Sequence, residues 1–385
     1  MSHRGAADDD LDALVSELNA GASASAPIRG ESTARLRGWL ADMVALSGAD
    51  LLLVAGAAPA VRTDGSLAAL AGGPLDGEEI AEAVVPALPP HARRTFHDTG
   101  IADGSFRDAE LGRFRINLHH ERGRAAAAIR RLPMTVPRLA SLGLPASVEA
   151  LTRLPRGLVL VGGPTGSGKT TTLAAMVHEI NLRDAKHIIT IEDPVEYEHR
   201  HARSLVEQIE IGIDAPDFPT ALRAALRQAP DIIVVGEMRD PETMRIAVAA
   251  GETGHLVLSS VHTNDVASTV GRIADSFPPE RQNTIRQELA MSLAGVLTQT
   301  LLPKTGGGLV PAAELLMMSY GGRQHVRRNA LHHLHQEITM TRKSGSVTLE
   351  ESLADLVRRG LVERTAALSR AAHPDELERL LSPST

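Results

Sequence analysis

Residues 163–170 match the pattern G-x-x-x-x-G-K-[ST] at every fixed position: Gly163-Pro164-Thr165-Gly166-Ser167-Gly168-Lys169-Thr170. The apolar run Leu158–Val161 comes just before this stretch and predicts a buried strand. A helical pattern begins at Thr170, directly after it. Because strand, glycine-rich loop and helix in this order form a phosphate-binding loop, the stretch predicts such a loop in an α/β domain. The alternative is a glycine-rich turn with an accidental lysine, and the flanking strand and helix argue against it.

Each residue type in this loop has a use in holding a polyphosphate. The glycines let backbone N–H groups face phosphate oxygens with no Cβ in the way. The helix that follows presents the positive end of its dipole to an anion. Lys169 supplies a mobile charge for the β- and γ-phosphates, and the Thr170 hydroxyl can bind Mg²⁺. The loop therefore predicts nucleotide binding, but it does not show what the nucleotide is used for.

Composition limits the class of protein. A chain of 385 residues predicts two folded domains, and 43% apolar residues suffice for their cores. No run is long and apolar enough to predict a membrane span, and the N-terminus shows no signal peptide. The absence of cysteine excludes disulfides and cysteine-ligated metal sites. The net charge of −7 argues against a nucleic-acid partner, because such proteins usually carry a basic surface.

The chain divides into four segments by pattern. Residues 1–30 predict a disordered tail, and residues 31–132 predict a small α+β domain with an antiparallel sheet. Residues 133–156 are rich in Pro, Gly and Leu and predict a linker. Residues 157–385 alternate strands with helices, which predicts a parallel sheet followed by a mostly helical part from Asn283 onward. The predicted elements of this last segment are strands Leu158–Val161, His187–Ile191, Ile232–Val235 and Leu256–Ser260, and helices Thr170–Asn181, Pro219–Gln228 and Pro241–Ala249.

Three local patterns support the small domain. Asp64-Gly65 between two short apolar runs predicts a hairpin turn. The pair Asp76 and Glu79 resembles a capping box at the start of a helix. Strict alternation over 113–118 predicts a strand with one apolar face and one solvated face that carries Arg113.

Acidic side chains follow two of the predicted strands of the larger domain. Glu237 directly follows the run Asp231–Gly236, at the carboxyl end of a predicted strand. Open parallel sheets bind their ligands at the carboxyl ends of strands, so Glu237 can hold Mg²⁺ or its water. The cluster Glu192–Glu196 ends the preceding strand, and one of its carboxylates can activate water. A helix-capping carboxylate and a plain acidic surface turn are the respective alternatives.

Two histidines bracket one predicted strand, His255 at its start and His262 at its end. We interpret them as a sensor of the γ-phosphate. A metal site is the weaker alternative, because no third ligand is spaced for it.

Four blocks in this order resemble a known superfamily: Gly163–Thr171, Glu192–Glu196, Gly236–Asp240 and Thr253–His255. They are similar to the Walker A, Asp box, Walker B and His box of the type II/IV secretion ATPases. The likeness is greatest to the twitching-motility (PilT-like) pilus retraction ATPases, and it runs from about residue 33 to about 365.

The resemblance implies a fold and an assembly. It implies an α/β, RecA-like P-loop ATPase core, a smaller PAS-like N-terminal domain and a helical C-terminal part. It also implies a cytoplasmic homohexamer at the inner face of the plasma membrane. ATP hydrolysis in this ring would act on an inner-membrane pilus platform protein, and a paralogous pilus ATPase would be a further partner.

The resemblance also implies roles for individual residues. Lys169 and Thr170 match the phosphate and Mg²⁺ residues, and the nucleotide-binding stretch extends to Thr171. Glu196 matches the general base and Glu237 the Walker B glutamate. The remaining matches are the His-box pair His255 and His262, and three arginines of the N-terminal domain that reach towards nucleotide, namely Arg115, Arg122 and Arg130.

Several features of the chain can be compared with those that distinguish retraction ATPases from assembly ATPases. The assembly and secretion members carry a longer N-terminal region and usually a four-cysteine zinc module, and this chain has no cysteine. Residues Ile273–Arg281 resemble the retraction side, whereas His262–Asp265 resembles the assembly side. A helix of the retraction family matches Gly321–Arg328, with two arginines kept but with Gly-Gly at its start and Arg328 in place of an acid.

Three other functions remain open at this point. They are pilus assembly or type II secretion, nucleic-acid translocation on a RecA-like core, and a non-hydrolysing partner of a sister ATPase.

Overall fold

A computed structural model describes residues 31–63 and 65–382. The predicted tail, 1–30, lies outside these residues. The described chain forms two compact units. The smaller unit comprises residues 31–135 with the segment 196–198, and the larger comprises 136–195 with 199–382.

The smaller unit is a six-stranded antiparallel sheet with helices, in the strand order β3-β2-β1-β6-β5-β4. Its helices are α1 (Glu31–Ala45), α2 (Gly77–Val84) and α3 (Pro90–Thr99). Its strands are β1 (Asp50–Leu53), β2 (Ala60–Thr63), β3 (Ser66–Ala69), β4 (Ile101–Asp108), β5 (Gly112–Glu121) and β6 (Arg124–Leu132).

The local patterns of this unit form as the sequence predicts. Thr63 pairs with Ser66 across the hairpin, although Asp64 itself lies outside the described residues. Asp76 and Glu79 form a reciprocal capping box at the start of α2. The core is closed by apolar residues of α1 and β5, among them Leu36, Leu40, Met43, Phe114, Ile116 and Leu118.

The larger unit is built on a seven-stranded sheet in the order β13-β12-β7-β11-β10-β8-β9. Its strands are β7 (Gly157–Gly162), β8 (His187–Glu192), β9 (Leu205–Glu210), β10 (Ile232–Val235), β11 (Leu256–Val261), β12 (Leu293–Pro303) and β13 (Leu309–Met317). Its helices are α4 (Val148–Leu151), α5 (Lys169–Arg183), α6 (Phe218–Ala225), α7 (Pro241–Glu252), α8 (Val266–Asp275), α9 (Pro279–Ser292), α10 (Tyr320–Arg327), α11 (Leu334–Met340), α12 (Leu349–Arg358), α13 (Arg364–Leu368) and α14 (Pro374–Leu381).

Parallel pairing sets where the site forms. The strands β12, β7, β11, β10, β8 and β9 all pair in parallel, and only β13 runs antiparallel to its neighbour β12. The strands β7, β10 and β11 therefore end at the same edge of the sheet, and the loops that follow them meet there. All residues of these three strands are buried, which matches their mainly apolar sequences.

The sequence predicts a mostly helical chain after Asn283, and the structure corrects this for two long strands. Helices α9 to α14 are present, but β12 and β13 lie between α9 and α10. Strand β12 is an interior strand between β7 and β13, and it is buried along most of its length because each of its faces packs into a separate apolar core. A strand covered on both faces lacks the two-residue alternation that distinguishes it from a buried helix.

The segment 133–156, which the sequence predicts to be a linker, carries structure of its own. A short 3₁₀ helix spans Leu139–Leu142, and α4 follows. Leu139, Val148 and Leu151 are buried in the core of the larger unit. The leucines of this segment therefore pack into the core of the larger unit, and the segment is not a simple linker.

We expect Leu151→Ala to lower the free energy of unfolding of the larger unit by about 2–5 kcal/mol. Leu151 has no exposed surface, and its removal leaves a cavity in the core. Leu309→Ala is the matched control, because Leu309 is 63% exposed and its loss changes stability by about 0.5 kcal/mol or less. Equal urea unfolding midpoints for the two variants would contradict the packing of this segment.

Candidate nucleotide-binding site

The glycine-rich loop connects β7 to α5 at the shared edge of the parallel strands. Gly163 has a φ of +149°, and a Cβ built on it would lie 2.3 Å from Oγ of Ser167 and 2.5 Å from the carbonyl oxygen of Gln299. Gly168 caps α5 with a φ of +90°. Larger residues are excluded at Gly163 by contact and disfavoured at Gly168 by conformation. The loop thus presents backbone at the start of α5, as an anion site requires.

Lys169 is the first residue of α5, and its side chain folds back over the loop. Its Nζ donates hydrogen bonds to the carbonyl oxygens of Gly163, at 2.8 Å, and Pro164, at 3.0 Å. The residue is only 7% exposed. Burial lowers the pKa of Lys169, and the charge of Glu237 opposes that shift. A desolvated ammonium held by two carbonyls is poised to exchange them for phosphate oxygens, which carry full negative charge.

Glu237 and His262 complete a connected polar group around Lys169. Glu237 follows β10, and His262 follows β11. Nδ1 of His262 lies 3.5 Å from Nζ of Lys169, and Nε2 of His262 lies 3.5 Å from Oε2 of Glu237. Glu237 also forms an ion pair with Arg239. Three residues that are far apart in sequence therefore meet because their strands are parallel neighbours.

The other predicted histidine lies at the opposite end of the same strand. His255 precedes β11, its carbonyl oxygen accepts a hydrogen bond from the N–H of Gly157, and its Nδ1 lies 3.2 Å from the carbonyl oxygen of Ala250. Six strand residues separate it from His262, which corresponds to about 20 Å. The structure therefore does not bring His255 to the glycine-rich loop of the same chain.

The acidic cluster after β8 is divided between the two units. Oε1 of Glu192 accepts hydrogen bonds from Oγ1 of Thr190, at 2.7 Å, and from Nε2 of Gln208, at 3.1 Å. This carboxylate is thus anchored within the larger unit. Glu196 belongs to the segment grouped with the smaller unit, where its carbonyl oxygen accepts a hydrogen bond of 3.3 Å from Arg113.

Comparison with known proteins decides the family. A family model described as "Type II/IV secretion system protein" matches residues 126–372, which is more than half of the chain. The chain belongs to this family.

Relatives of this family cover nearly the whole chain. It is 40% identical over 326 residues to the "Type IV pilus retractation ATPase PilT" of Pseudomonas aeruginosa, covering 85% of this chain and 95% of that protein. It is 39% identical over 321 residues to the "Twitching motility protein" of Neisseria gonorrhoeae, covering 83% and 86%. The crystal structure of the pilus retraction motor PilT with bound ADP is 42% identical and aligns with a TM-score of 0.81 over 88% of this chain and 98% of that chain.

These similarities confirm three predictions. The fold is α/β, with a P-loop ATPase core and a smaller N-terminal domain. The protein is a PilT-like secretion ATPase. Its nucleotide is ATP. The roles of individual residues are not tested by the comparisons and stay predictions.

The three arginines predicted for this ATPase lie on the hairpin of β5 and β6. Arg115 and Arg130 are direct cross-strand partners. Nη2 of Arg115 lies 3.4 Å from Oδ1 of Asp103, and Nε of Arg130 lies 2.8 Å from Oδ1 of Asp50. The hydrogen bond to Asp50 raises the pKa of Arg130. Arg122 instead sits in the turn at the far end of the hairpin, largely exposed.

Arg113 differs from the solvated position that strand alternation predicts. It is buried, and its Nε lies 3.0 Å from Oε1 of Glu198, which also pairs with Arg107. The segment 196–198 covers this end of β5, which turns a surface position into an interior one. Alternation along one strand cannot reveal such a cover, because it comes from residues about 80 positions later.

Gln299 of β12 is a residue of the ATPase site that sequence reasoning missed. Its Nε2 donates to the carbonyl oxygen of Ser167, at 2.6 Å, and its Oε1 accepts from Oγ1 of Thr172, at 2.8 Å. The buried amide therefore ties the glycine-rich loop to the first turn of α5. No motif marks it, and the strand that carries it is one the sequence did not predict.

We expect Gln299→Ala to raise the KM for ATP about tenfold, because two buried hydrogen bonds that hold the loop are lost. The change in kcat should be smaller, since Gln299 acts through the loop. Gln336→Ala, at an exposed position of α11, is the control and should leave KM unchanged. A steady-state titration with ATP makes the comparison, and equal KM values for both variants would refute the positioning role.

Proposed function

We propose that this ATPase is a homohexameric motor that drives type IV pilus retraction. The observation that carries the proposal is the connected group of Lys169, His262 and Glu237 on an intact glycine-rich loop, in a chain that matches a pilus retraction ATPase over 95% of that protein. The ring would lie at the cytoplasmic face of the inner membrane and use ATP hydrolysis to act on the pilus platform protein. The described residues include no helix long and apolar enough to cross a bilayer.

The proposed chemistry assigns one task to each side chain of the site. Lys169 binds the β- and γ-phosphates in place of the carbonyls it now contacts. Thr170 and Glu237 hold Mg²⁺, and their hydroxyl and carboxylate oxygens are the hard donors that this ion prefers. When bound there, the ion would supply positive charge against the charge that develops on the phosphates. Glu196 activates the attacking water, and His262 senses the γ-phosphate through its contacts to Lys169 and Glu237.

The remaining His-box residue requires a different explanation. His255 lies at the end of β11 that is far from Lys169. We therefore propose a structural role for it, in which it holds the start of β11 against a helix of its own chain. It contacts α7 through the carbonyl of Ala250.

The altered helix near the C-terminus is compatible with this function. α10 forms although its second and third residues are glycines, because Oγ of Ser319 caps it at the N–H of Gly322. A Cβ on Gly321 would lie 2.6 Å from Oε2 of Glu337, so a larger residue there would displace that carboxylate. Arg323 donates to the carbonyl oxygen of Ala290, at 2.6 Å, and to that of Met291, which caps the end of α9.

The three arginines are proposed to act on the nucleotide of a neighbouring subunit. We expect Arg130→Ala and Lys169→Ala proteins each to lose ATPase activity, and a mixture of the two to regain part of it after subunit exchange. At some interfaces of the mixed ring, the glycine-rich loop of an Arg130→Ala subunit then meets the Arg130 of a Lys169→Ala subunit. Arg124→Ala, on the same strand, is the control and should retain activity alone. Absence of recovery in rings that energy transfer between differently labelled subunits shows to be mixed would rule out action in trans.

Deletion of the gene tests the direction of the motor. Retraction predicts cells with excess surface pili and no twitching, restored by the wild-type gene but not by Lys169→Ala. Bald cells would instead indicate pilus assembly, and retained exoproteins would indicate type II secretion. ATPase activity stimulated by DNA with a steep salt dependence would point to a translocase.

A further inference from the structure

A second group of metal-ligating side chains lies outside the nucleotide site, on three C-terminal helices. It consists of His335 in α11, Glu350 in α12 and Glu376 in α14. One ligand atom from each lies within 4.8 Å of the other two. Nε2 of His335 is 3.1 Å from Oε2 of Glu376. Each of the three residues is in the first turn of its helix, so the group forms where three helices begin together.

The electrostatics of this group call for a cation. Glu350 is only 1% exposed, and its Oε1 accepts a hydrogen bond of 2.8 Å from the N–H of His373. Among the described residues, neither Glu350 nor Glu376 forms an ion pair with a lysine or arginine. A buried carboxylate beside a second carboxylate is unfavourable unless positive charge compensates it.

The donor set selects the kind of cation. One imidazole nitrogen and two carboxylates, with no sulfur, suit Zn²⁺ and similar divalent transition ions better than Mg²⁺, which prefers six oxygens. With bonds of about 2.1 Å, ligand atoms of a tetrahedral zinc site lie about 3.4 Å apart. The His335–Glu376 distance is already close to this value, and a ligand atom of Glu350 lies within 4.8 Å of both. The three side chains supply three of the four ligands of a tetrahedral site, and a water molecule completes it.

We propose that His335, Glu350 and Glu376 bind one Zn²⁺ ion that fastens α11, α12 and α14 together. The ion compensates the buried charge of Glu350 and joins segments that the sequence separates by 15 and 26 residues. Because the three helices come together only in the folded chain, the ion binds the native state preferentially and stabilises it. The role is structural and separate from the Mg²⁺ proposed for the nucleotide site.

Zinc titration of the full-length protein tests the site. Tag-free protein is freed of metal with EDTA, dialysed, and titrated with ZnCl₂ by calorimetry in the absence of nucleotide. We expect one tight equivalent in the wild type and a loss of affinity of at least about 100-fold in Glu376→Gln and His335→Asn. The matched control is the double variant His187→Asn/Glu207→Gln, which removes a histidine–glutamate pair at 3.0 Å that has no third ligand in the described chain.

Cobalt supplies a second readout that does not depend on stability. Co²⁺ in place of Zn²⁺ should give visible absorption bands of a four-coordinate site in the wild type and the control, and none in Glu376→Gln. Glu376 is partly exposed in the last helix, so this variant carries the test if His335→Asn does not fold. The proposal is overturned if the wild type binds no zinc, if Glu376→Gln binds it as tightly as the control, or if Mg²⁺ competes equally.

Discussion

Replacing Lys169 with alanine is expected to lower the kcat for ATP hydrolysis by at least about 100-fold. The side chain is buried, holds its charge among backbone carbonyls and is linked through His262 to Glu237. Its loss removes the cation that stabilises charge on the transferred phosphoryl group, and no other lysine of the chain lies in the loop. Phosphate release from the purified protein measures the effect.

Lys304→Ala is the matched control for this prediction. Lys304 is an exposed lysine in the turn between β12 and β13, and its removal should leave kcat within about twofold of the wild type. Circular dichroism and light scattering must show the same fold and assembly for both variants. Full activity in Lys169→Ala would refute both the nucleotide site and the motor function proposed for it.

Glu237→Gln is expected to bind ATP with nearly unchanged affinity and to hydrolyse it at least about 100-fold more slowly. The substitution keeps the size of the side chain and removes the charge that holds Mg²⁺ or its water. It also removes the ion pair with Arg239 and weakens the contact to His262. Binding of a fluorescent ATP analogue and single-turnover hydrolysis separate the two effects.

Glu242→Gln provides the comparison for Glu237→Gln. Glu242 also pairs with an arginine, Arg223, but on the surface of α7, where such pairs contribute about 1 kcal/mol or less. We expect this control to hydrolyse ATP normally. If Glu237→Gln lost ATP binding and hydrolysis in equal proportion, its role would be structural and not that of a Walker B acid.

Much of the nucleotide site follows from contiguous sequence. The loop over 163–170 has a fixed spacing of glycine, lysine and threonine whose chemistry is local. Glu237 and His262 each follow a short, mainly apolar run that predicts a buried strand. The helix cap at Asp76 and the hairpin before Ser66 are likewise determined by residues a few positions apart. These features were predictable because the residues that decide them are neighbours in the chain.

Contacts between distant segments were not predictable in the same way. Gln299 reaches the loop only because β12 pairs with β7, and β12 shows no alternation because it is covered on both faces. Arg113 is interior because the segment 196–198 covers it. His255 and His262 look equivalent in sequence, yet the strand between them places only His262 beside Lys169.

The sequence by itself determined that this chain is a nucleotide-binding α/β ATPase, because a phosphate loop and its flanking strand and helix are local structures. The tertiary structure decided which acids and histidines meet that loop, and which residues of three separate helices form a cluster at His335, Glu350 and Glu376. The physical reason is the same in both cases. Backbone preferences and motif chemistry act over a few residues, whereas strand order and helix packing decide which distant side chains become neighbours.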